Sequence, residues 1–208
     1  MKKYVLFLLL ISIIFISGCE NLLDTMKEKI STYSSYECKV IQDGFNGIIK
    51  IDKLQQKAFY QISTPIIEDD ETKVIDRTTY IWPKNERFAV LNLDKNNPGP
   101  YYYDLENENA LIRDSDLINL ASRLIQDAEN NGYIIKEDRY LIQPTNKEVD
   151  AILFYESEGS VEPEAVIDAN TYLPIKTVET PYFLDCQVNK KFNENELDPP
   201  AGIEILPR

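Results

Sequence analysis

This chain of 208 residues has no histidine. That removes the side chain most often used as general base, the commonest zinc ligand and the Ser-His-Asp triad together. Glycine is scarce, seven in all, and no Walker loop or Gly-x-Gly-x-x-Gly run occurs, so a phosphate cradle is not expected. HExxH and GxSxG are missing too. Basic residues are outnumbered, 22 Lys and Arg against 35 Asp and Glu. Cysteine is limited to Cys19, Cys38 and Cys186, with no CxxC pair. No internal repeat, low-complexity linker or break in composition divides the chain, which favours one domain.

What is present begins with residues 1–19. Met1-Lys2-Lys3 is a basic start, Tyr4 to Ile16 is nearly all apolar, and Ile16-Ser17-Gly18-Cys19 closes the run. The run is too short to span a bilayer comfortably and has the form of a signal-peptide core. The ending resembles the bacterial lipobox, with Ile16 where Leu is usual. That resemblance implies removal of residues 1–18 and a covalent diacylglycerol at Cys19. The chain is then expected on the extracytoplasmic face of the cell membrane, held by lipid. An uncleaved anchor helix is the rival reading.

Lys2 and Lys3 are the only basic residues ahead of Cys19, and no acid precedes it, so cleavage takes the net charge from −13 to −15. Such a body repels nucleic acid and anionic headgroups and favours a basic extracytoplasmic protein as partner. No metal or cofactor is expected. Glu68-Asp69-Asp70-Glu71 lacks the alternating spacing of a calcium loop and reads as a solvated turn. Cys38 and Cys186 remain as an even pair outside the cytoplasm: a candidate disulfide, or two buried thiols. Bridging would require the first and last long strands to be brought together by a curling sheet or by the first helix.

Hydrophobic spacing predicts a helix over 21–35, with Leu22, Leu23, Met26, Ile30 and Tyr33 on one face. Period-two strands are expected over 36–42, 47–54, 57–63, 73–83, 87–94 and 101–105, with turns at Asp43-Gly44, Lys84-Asn85 and Asn97-Pro98-Gly99-Pro100. A second helix carries Leu117, Leu120, Ala121, Leu124, Ile125 and Ala128 as its stripe, capped by Ser115 or Asp114 and closed by Gly132. Strands resume over 133–143, 151–156, 164–168, 173–180 and 182–190, with a tight turn at Asp168-Ala169-Asn170-Thr171. The fold class is α+β, about eleven antiparallel strands curved around two helices.

That order resembles the LolA/LolB superfamily of lipoprotein-handling proteins. The resemblance rests on Ala165-Val166-Ile167-Asp168-Ala169-Asn170-Thr171-Tyr172-Leu173-Pro174-Ile175-Lys176, on the stretch from Phe192 to Pro200 with Ile203 to Pro207, and on hairpins over 47–63 and 78–93. It implies a strongly curved half-barrel over 36–208 with helices on its concave face. In carriers of the family the cavity takes acyl chains, and this is the alternative function here: a lipid or lipoprotein carrier or acceptor. Carriers are soluble, whereas this chain is expected to be lipidated. Size, lipobox and composition are similar to the GerS-type spore-germination lipoproteins of clostridia. That similarity implies a module that docks and licenses a cortex N-acetylmuramoyl-L-alanine amidase, in the forespore intermembrane space. The closing stretch is expected to form a last strand with a proline-rich finish.

Within the chain itself the expected function is non-enzymatic protein binding. Glu156 with Glu158, and Glu162 with Glu164, have the spacing of a shared strand face, but chance explains such pairs in so acidic a chain. Tyr60, Tyr80, Trp82, Phe88 and Phe154 are expected mostly in the core. Tyr101, Tyr102 and Tyr103 must alternate in direction along a strand, which makes them a candidate interface. Open strand edges also invite pairing with a second copy, giving a strand-exchanged homodimer.

Overall fold

The structure is a computed structural model, and it describes residues 22–42, 45–68, 71–84, 87–94, 97–105, 116–178 and 180–201. Helix α1 spans 22–31. Strands β1 (Ser35–Gln42), β2 (Phe45–Asp52), β3 (Lys57–Glu68), β4 (Glu71–Lys84), β5 (Arg87–Asp94) and β6 (Asn97–Leu105) follow. Helix α2 (Leu117–Asn131) precedes β7 (Ile134–Ile142), β8 (Lys147–Tyr155), β9 (Ala165–Asp168), β10 (Pro174–Thr177) and β11 (Tyr182–Val188). This is an α+β architecture of antiparallel strands.

The eleven strands do not form one ladder. Seven run in the order β11-β1-β2-β3-β4-β5-β6 and four in the order β10-β9-β8-β7, and neither set closes on itself. β10 lies beside β11, so the division falls between two strands adjacent in sequence and in space. Pro174 heads β10 and Pro181 stands just ahead of β11, and each withholds a backbone donor where a continuous ladder would need one.

The local chemistry explains the elements. Leu23, Met26 and Ile30 of α1 are buried, as is Tyr33 just beyond it. The Ser31 and Thr32 hydroxyls bond back to the carbonyls of Glu28 and Lys29, an alternative to continuing the helix. Asp116 starts α2, its carboxylate accepting from the Ile118 N–H at 3.0 Å. The cap is therefore Asp116, not Ser115 or Asp114, which lie outside the described residues. Asp116 wins because its side chain reaches the second helical N–H from an extended backbone. Gly132, at φ 67°, ends α2 in the left-handed conformation that glycine adopts without strain.

Alternation along the strands sets two apolar layers. Tyr36, Cys38 and Val40 of β1, Ile49 and Ile51 of β2, and Ile152, Phe154, Ala165 and Ile167 of β8 and β9 meet both helices in the main core. Ala151, Leu153, Val166, Ile175, Tyr182 and Leu184 form a second cluster on the opposite face of the small sheet. Expected turns and observed strands part company at Asn97–Pro100, which lies within β6. β6 is an edge strand, the one setting in a sheet that tolerates residues without a donor. Phe192 to Pro200, expected as a closing strand, is irregular, with turns at 194–197. Its ion pairs run from side chains, Glu196 to Lys50 at 2.8 Å and Asp198 to Lys57 at 2.7 Å. With Pro199 and Pro200 next, it does not enter a ladder.

Candidate functional site

The space between the helices and β1–β3, β8 and β9 is filled by the protein's own side chains. Met26, Ile30, Ile125, Phe154 and Ile167 are all buried there. α1 is fastened to the small sheet at the β9–β10 turn, where Tyr33 Oη donates to the Thr171 carbonyl at 2.9 Å and Lys29 Nζ to the Asn170 carbonyl at 2.7 Å. That turn is the Asp168–Thr171 stretch expected from sequence. One Asp168 oxygen accepts from the N–H groups of Asn170 and Thr171 and from the Thr171 hydroxyl, an Asx-type turn.

Two polar side chains meet, buried, at the start of α2. Tyr36 Oη accepts the Leu117 N–H at 2.8 Å, so the start of α2 rests on a fully buried phenol. Asp116 beside it is buried, and its second carboxylate oxygen has no hydrogen-bond partner. The nearest cation is Lys53 Nζ at 3.6 Å, a charge contact rather than a hydrogen bond. Burial pushes the Asp116 carboxyl above its usual range, and the Lys53 charge offsets part of that. Burial and the Asp116 charge push the Tyr36 hydroxyl well up. Among the described residues the Asp116 carboxylate serves the helix end.

Cys38 and Cys186 are joined, with Cα atoms 4.2 Å apart. Neither helix packing nor distant curling is needed, because β1 and β11 are direct ladder neighbours. The register shifts between Glu37 and Lys39, so Cys38 stands opposite both Asp185 and Cys186. Asp185 takes φ 51°, the signature of a bulge. Its carboxylate meets Lys39 Nζ of the large sheet at 2.8 Å and Lys147 Nζ of the small sheet at 3.1 Å. Hydrogen bonds from Lys39, then Lys147, hold it below the usual carboxylate range.

The other residues singled out in the sequence scatter. Cys19 lies outside the described residues, as do Asp69 and Asp70 of the acidic turn. Tyr101, Tyr102 and Tyr103 lie in β6 opposite Asn92, Leu91 and Val90. Phe154 is core and Tyr60 packs against it, as expected, whereas Tyr80, expected there too, stacks edge to face on Phe59 at 5.2 Å on the face that carries Lys50. The side chain of Phe88 lies outside the description. Glu156, Glu158, Glu162 and Glu164 are not on strands. β8 ends at Tyr155 and β9 starts at Ala165, so all four sit in the connection. The turns at 158–159 and the bends around them cancel the period-two argument. Sequence reasoning also missed the second apolar cluster. Its signal was the run Val149-Asp150-Ala151-Ile152-Leu153-Phe154-Tyr155, apolar at both parities over its last five positions, which marks a strand buried on two faces.

Among the described residues no group of three or more Cys, Asp or Glu could hold a metal ion, and no helix is long and apolar enough to cross a membrane. What stands open is backbone. β6 closes one end of the large sheet and β7 one end of the small sheet, each with a ladder partner on one side only among the described strands.

The fold thus defines an α+β protein of two open antiparallel sheets with two helices packed into its main core. The chain is matched by no family model, no curated protein and no solved structure.

Proposed function

We propose that this chain is a membrane-anchored extracytoplasmic lipoprotein, tethered by diacylglycerol at Cys19, that acts as a non-enzymatic protein-binding module of the LolA/LolB-like half-barrel type. Its partner is a basic cell-wall enzyme, an N-acetylmuramoyl-L-alanine amidase acting on spore cortex during germination, which it docks and licenses. The observation that carries this reading is the filled interior: α1 and α2 occupy the space that an acyl-chain carrier would keep open. A carrier needs an apolar cavity of about 300 Å³ or more open to cargo. The grooves of the described surface reach about 430–520 Å³, but they lie on the outer faces, along sheet ends and between the helices rather than inside the main core. The excess of acidic residues supports steering of a basic partner.

The test is capture of purified amidases by the full chain at low and high salt. Retention that weakens with salt, with amidase turnover arising only in the complex, supports the reading. Retention of fatty acid or acylated peptide with no amidase bound assigns the carrier function instead. Cys19→Ala is expected to release the chain from membranes, since two acyl chains hold stably where weaker anchors do not.

A further inference from the structure

Five large apolar side chains stand exposed among the described residues: Leu54, Val74, Leu141, Val161 and Val178. Three of them, Leu141, Val161 and Val178, border one groove of about 520 Å³ on the outer face of the small sheet. Val161 is 94% exposed and Val178 67%, which is costly clustering for a surface with nothing to bind. The floor is the second apolar cluster. Leu153, Val166 and Tyr182 are buried in it and Tyr140 and Tyr155 pack against it. Tyr140, Tyr155 and Tyr182 all border the groove, so the floor is aromatic yet offers hydroxyl oxygens.

One wall of the groove is β7, through Asp138, Arg139, Tyr140 and Leu141. β7 is the free end of the four-stranded order. Alternate backbone groups of an edge strand face away from the sheet and can accept a further extended chain. The opposite wall is the segment after β8. From Glu156 to Glu164 it holds four glutamates and no basic residue. None of the four has an ion-pair partner among the described residues, whereas Arg139 is already paired to Glu148 at 3.0 Å. Lys176 over the Tyr182 ring at 4.9 Å and Lys136 over the Tyr155 ring at 5.0 Å keep their charges, and Asp138 and the four glutamates outnumber them. The unneutralised charge around the groove is therefore negative.

Resting on the protein-docking reading above, we infer that this groove is the docking site for an extended, basic segment of the partner protein, with aliphatic or proline residues set between its lysines or arginines. Apolar side chains fill the tyrosine-floored groove, the backbone runs along β7, and the cations meet Glu162, Asp138 and the flanking glutamates. An anionic lipid or acidic peptide would meet the same carboxylates as repulsion.

The test uses the full chain with a photo-crosslinking side chain at Val161 or, as control, at Leu54, which is 82% exposed and far from the groove lining. The probe is a labelled peptide alternating lysine with proline and valine, beside a copy in which glutamate replaces lysine. The lysine peptide is expected to crosslink from position 161 and not from 54. The double variant Val161→Ser with Val178→Ser, both exposed and adding no charge, is expected to bind at least about tenfold more weakly, and the glutamate peptide likewise. Equal binding by the double variant, equal binding of the glutamate peptide, equal capture from Leu54, crosslinks between two copies, displacement by oleate, or no binding at all would each overturn the inference.

Amidase capture separates the two ideas. Wild type that holds an amidase which the double variant releases supports both. An amidase held equally by both proteins removes the groove and leaves the docking function standing. Peptide crosslinked at Val161 with no amidase captured keeps the groove and removes the amidase.

Discussion

The outer faces of the two sheets are made differently. On the large sheet the outward positions mix aromatics, Phe59 stacked on Tyr80, with charges that are tied together. Lys50 lies between Glu196 at 2.8 Å and Glu37 at 3.5 Å, Lys190 meets Glu37 at 2.6 Å, and Lys57 meets Asp198 at 2.7 Å. On the small sheet the outward positions of β8 are Val149, Ala151, Leu153 and Tyr155, and they carry an apolar cluster. The same alternation rule therefore yields a solvated face in one sheet and a second small core in the other. The first face is covered by the chain's own tail through Glu196 and Asp198. The second is covered by one connection and the turn after β10, and it leaves Val161 and Val178 in water. An apolar face that a protein covers only in part is the one open to a partner.

The largest effect is expected from cutting the covalent link within the large sheet, beside its contact with the small one. Cys38–Cys186 closes a loop of 148 residues at the bulge that also holds Asp185 between the two sheets. Chain entropy puts such a link at up to about 4–5 kcal/mol. Reduction, or paired Cys38→Ala and Cys186→Ala, is expected to lower unfolding stability in urea by roughly that amount. A loss under about 1 kcal/mol would mean that the ladder alone holds β11 to β1 and that the link is dispensable.

Single outward residues come next. Leu153→Ala on the small sheet removes a buried side chain and is expected to cost about 2–4 kcal/mol. Lys39→Ala, outward on the large sheet and solvated, is expected to leave the unfolding midpoint nearly unchanged. Equal losses in chemical denaturation would abolish the distinction between the faces.

Much of this was legible beforehand, and the reasons differ by element. α2 was read nearly whole because its stripe recurs at 3.6 residues and Gly132 marks its end. The Asp168–Thr171 turn was legible because an Asp followed by Asn and Thr can satisfy its own backbone locally. The split of the strands into two sheets was not, because it depends on which distant strands meet, and periodicity is silent on pairing. β6 was cut short because prolines read as turns unless the strand is known to be an edge. The glutamate pairs failed for a related reason: spacing places residues on a face only while the chain stays extended, and residues 156–164 do not. The groove depends on Tyr140 and Tyr155 meeting Tyr182 of the other sheet, a contact that no local pattern encodes.

Asp116 sharpens the comparison from inside, since it is a buried carboxylate where the charged face keeps its carboxylates paired. Its folded pKa is raised, so its carboxyl adds most to stability when protonated, below the unfolded value, and that contribution fades as pH rises through the folded value. Asp185 has the opposite sign, its pKa being depressed by Lys39 and Lys147. Its contribution is present above the unfolded value and is lost as pH falls through the folded one. Asp116→Asn keeps an N-cap oxygen and removes the buried charge, at the loss of the Lys53 contact. It is expected to raise stability at pH 7 by up to about 1 kcal/mol, with the advantage shrinking as pH falls through the raised folded value towards the unfolded one. Asp116→Ala, which removes the cap, is expected to lose about 1 kcal/mol. Unfolding midpoints across pH check both, and an Asn variant less stable at pH 7 than at pH 3 relative to the parent would show that the Lys53 pair outweighs burial.

The smallest effect compares one hairpin from each sheet. β2 and β3 are joined by residues 53–56, β7 and β8 by residues 143–146, and both pairs close on matched strand ends, Asp52 with Lys57 and Ile142 with Lys147. In each loop the fourth residue is left-handed, Gln56 at φ 54° and Asn146 at φ 51°. The geometry is shared and the residue is not. Asparagine enters this region readily because its short amide bonds locally, whereas glutamine carries the ordinary steric penalty of a longer side chain. Both positions are exposed, so packing does not intervene. Gln56→Asn is therefore expected to stabilise by a few tenths of a kcal/mol, and Asn146→Gln to destabilise by a similar amount. Matched urea melts of the two variants and the double swap read the difference. If both substitutions shift the midpoint in the same direction, the turns are governed by contacts outside the loop, and the two hairpins are not equivalent despite their common backbone.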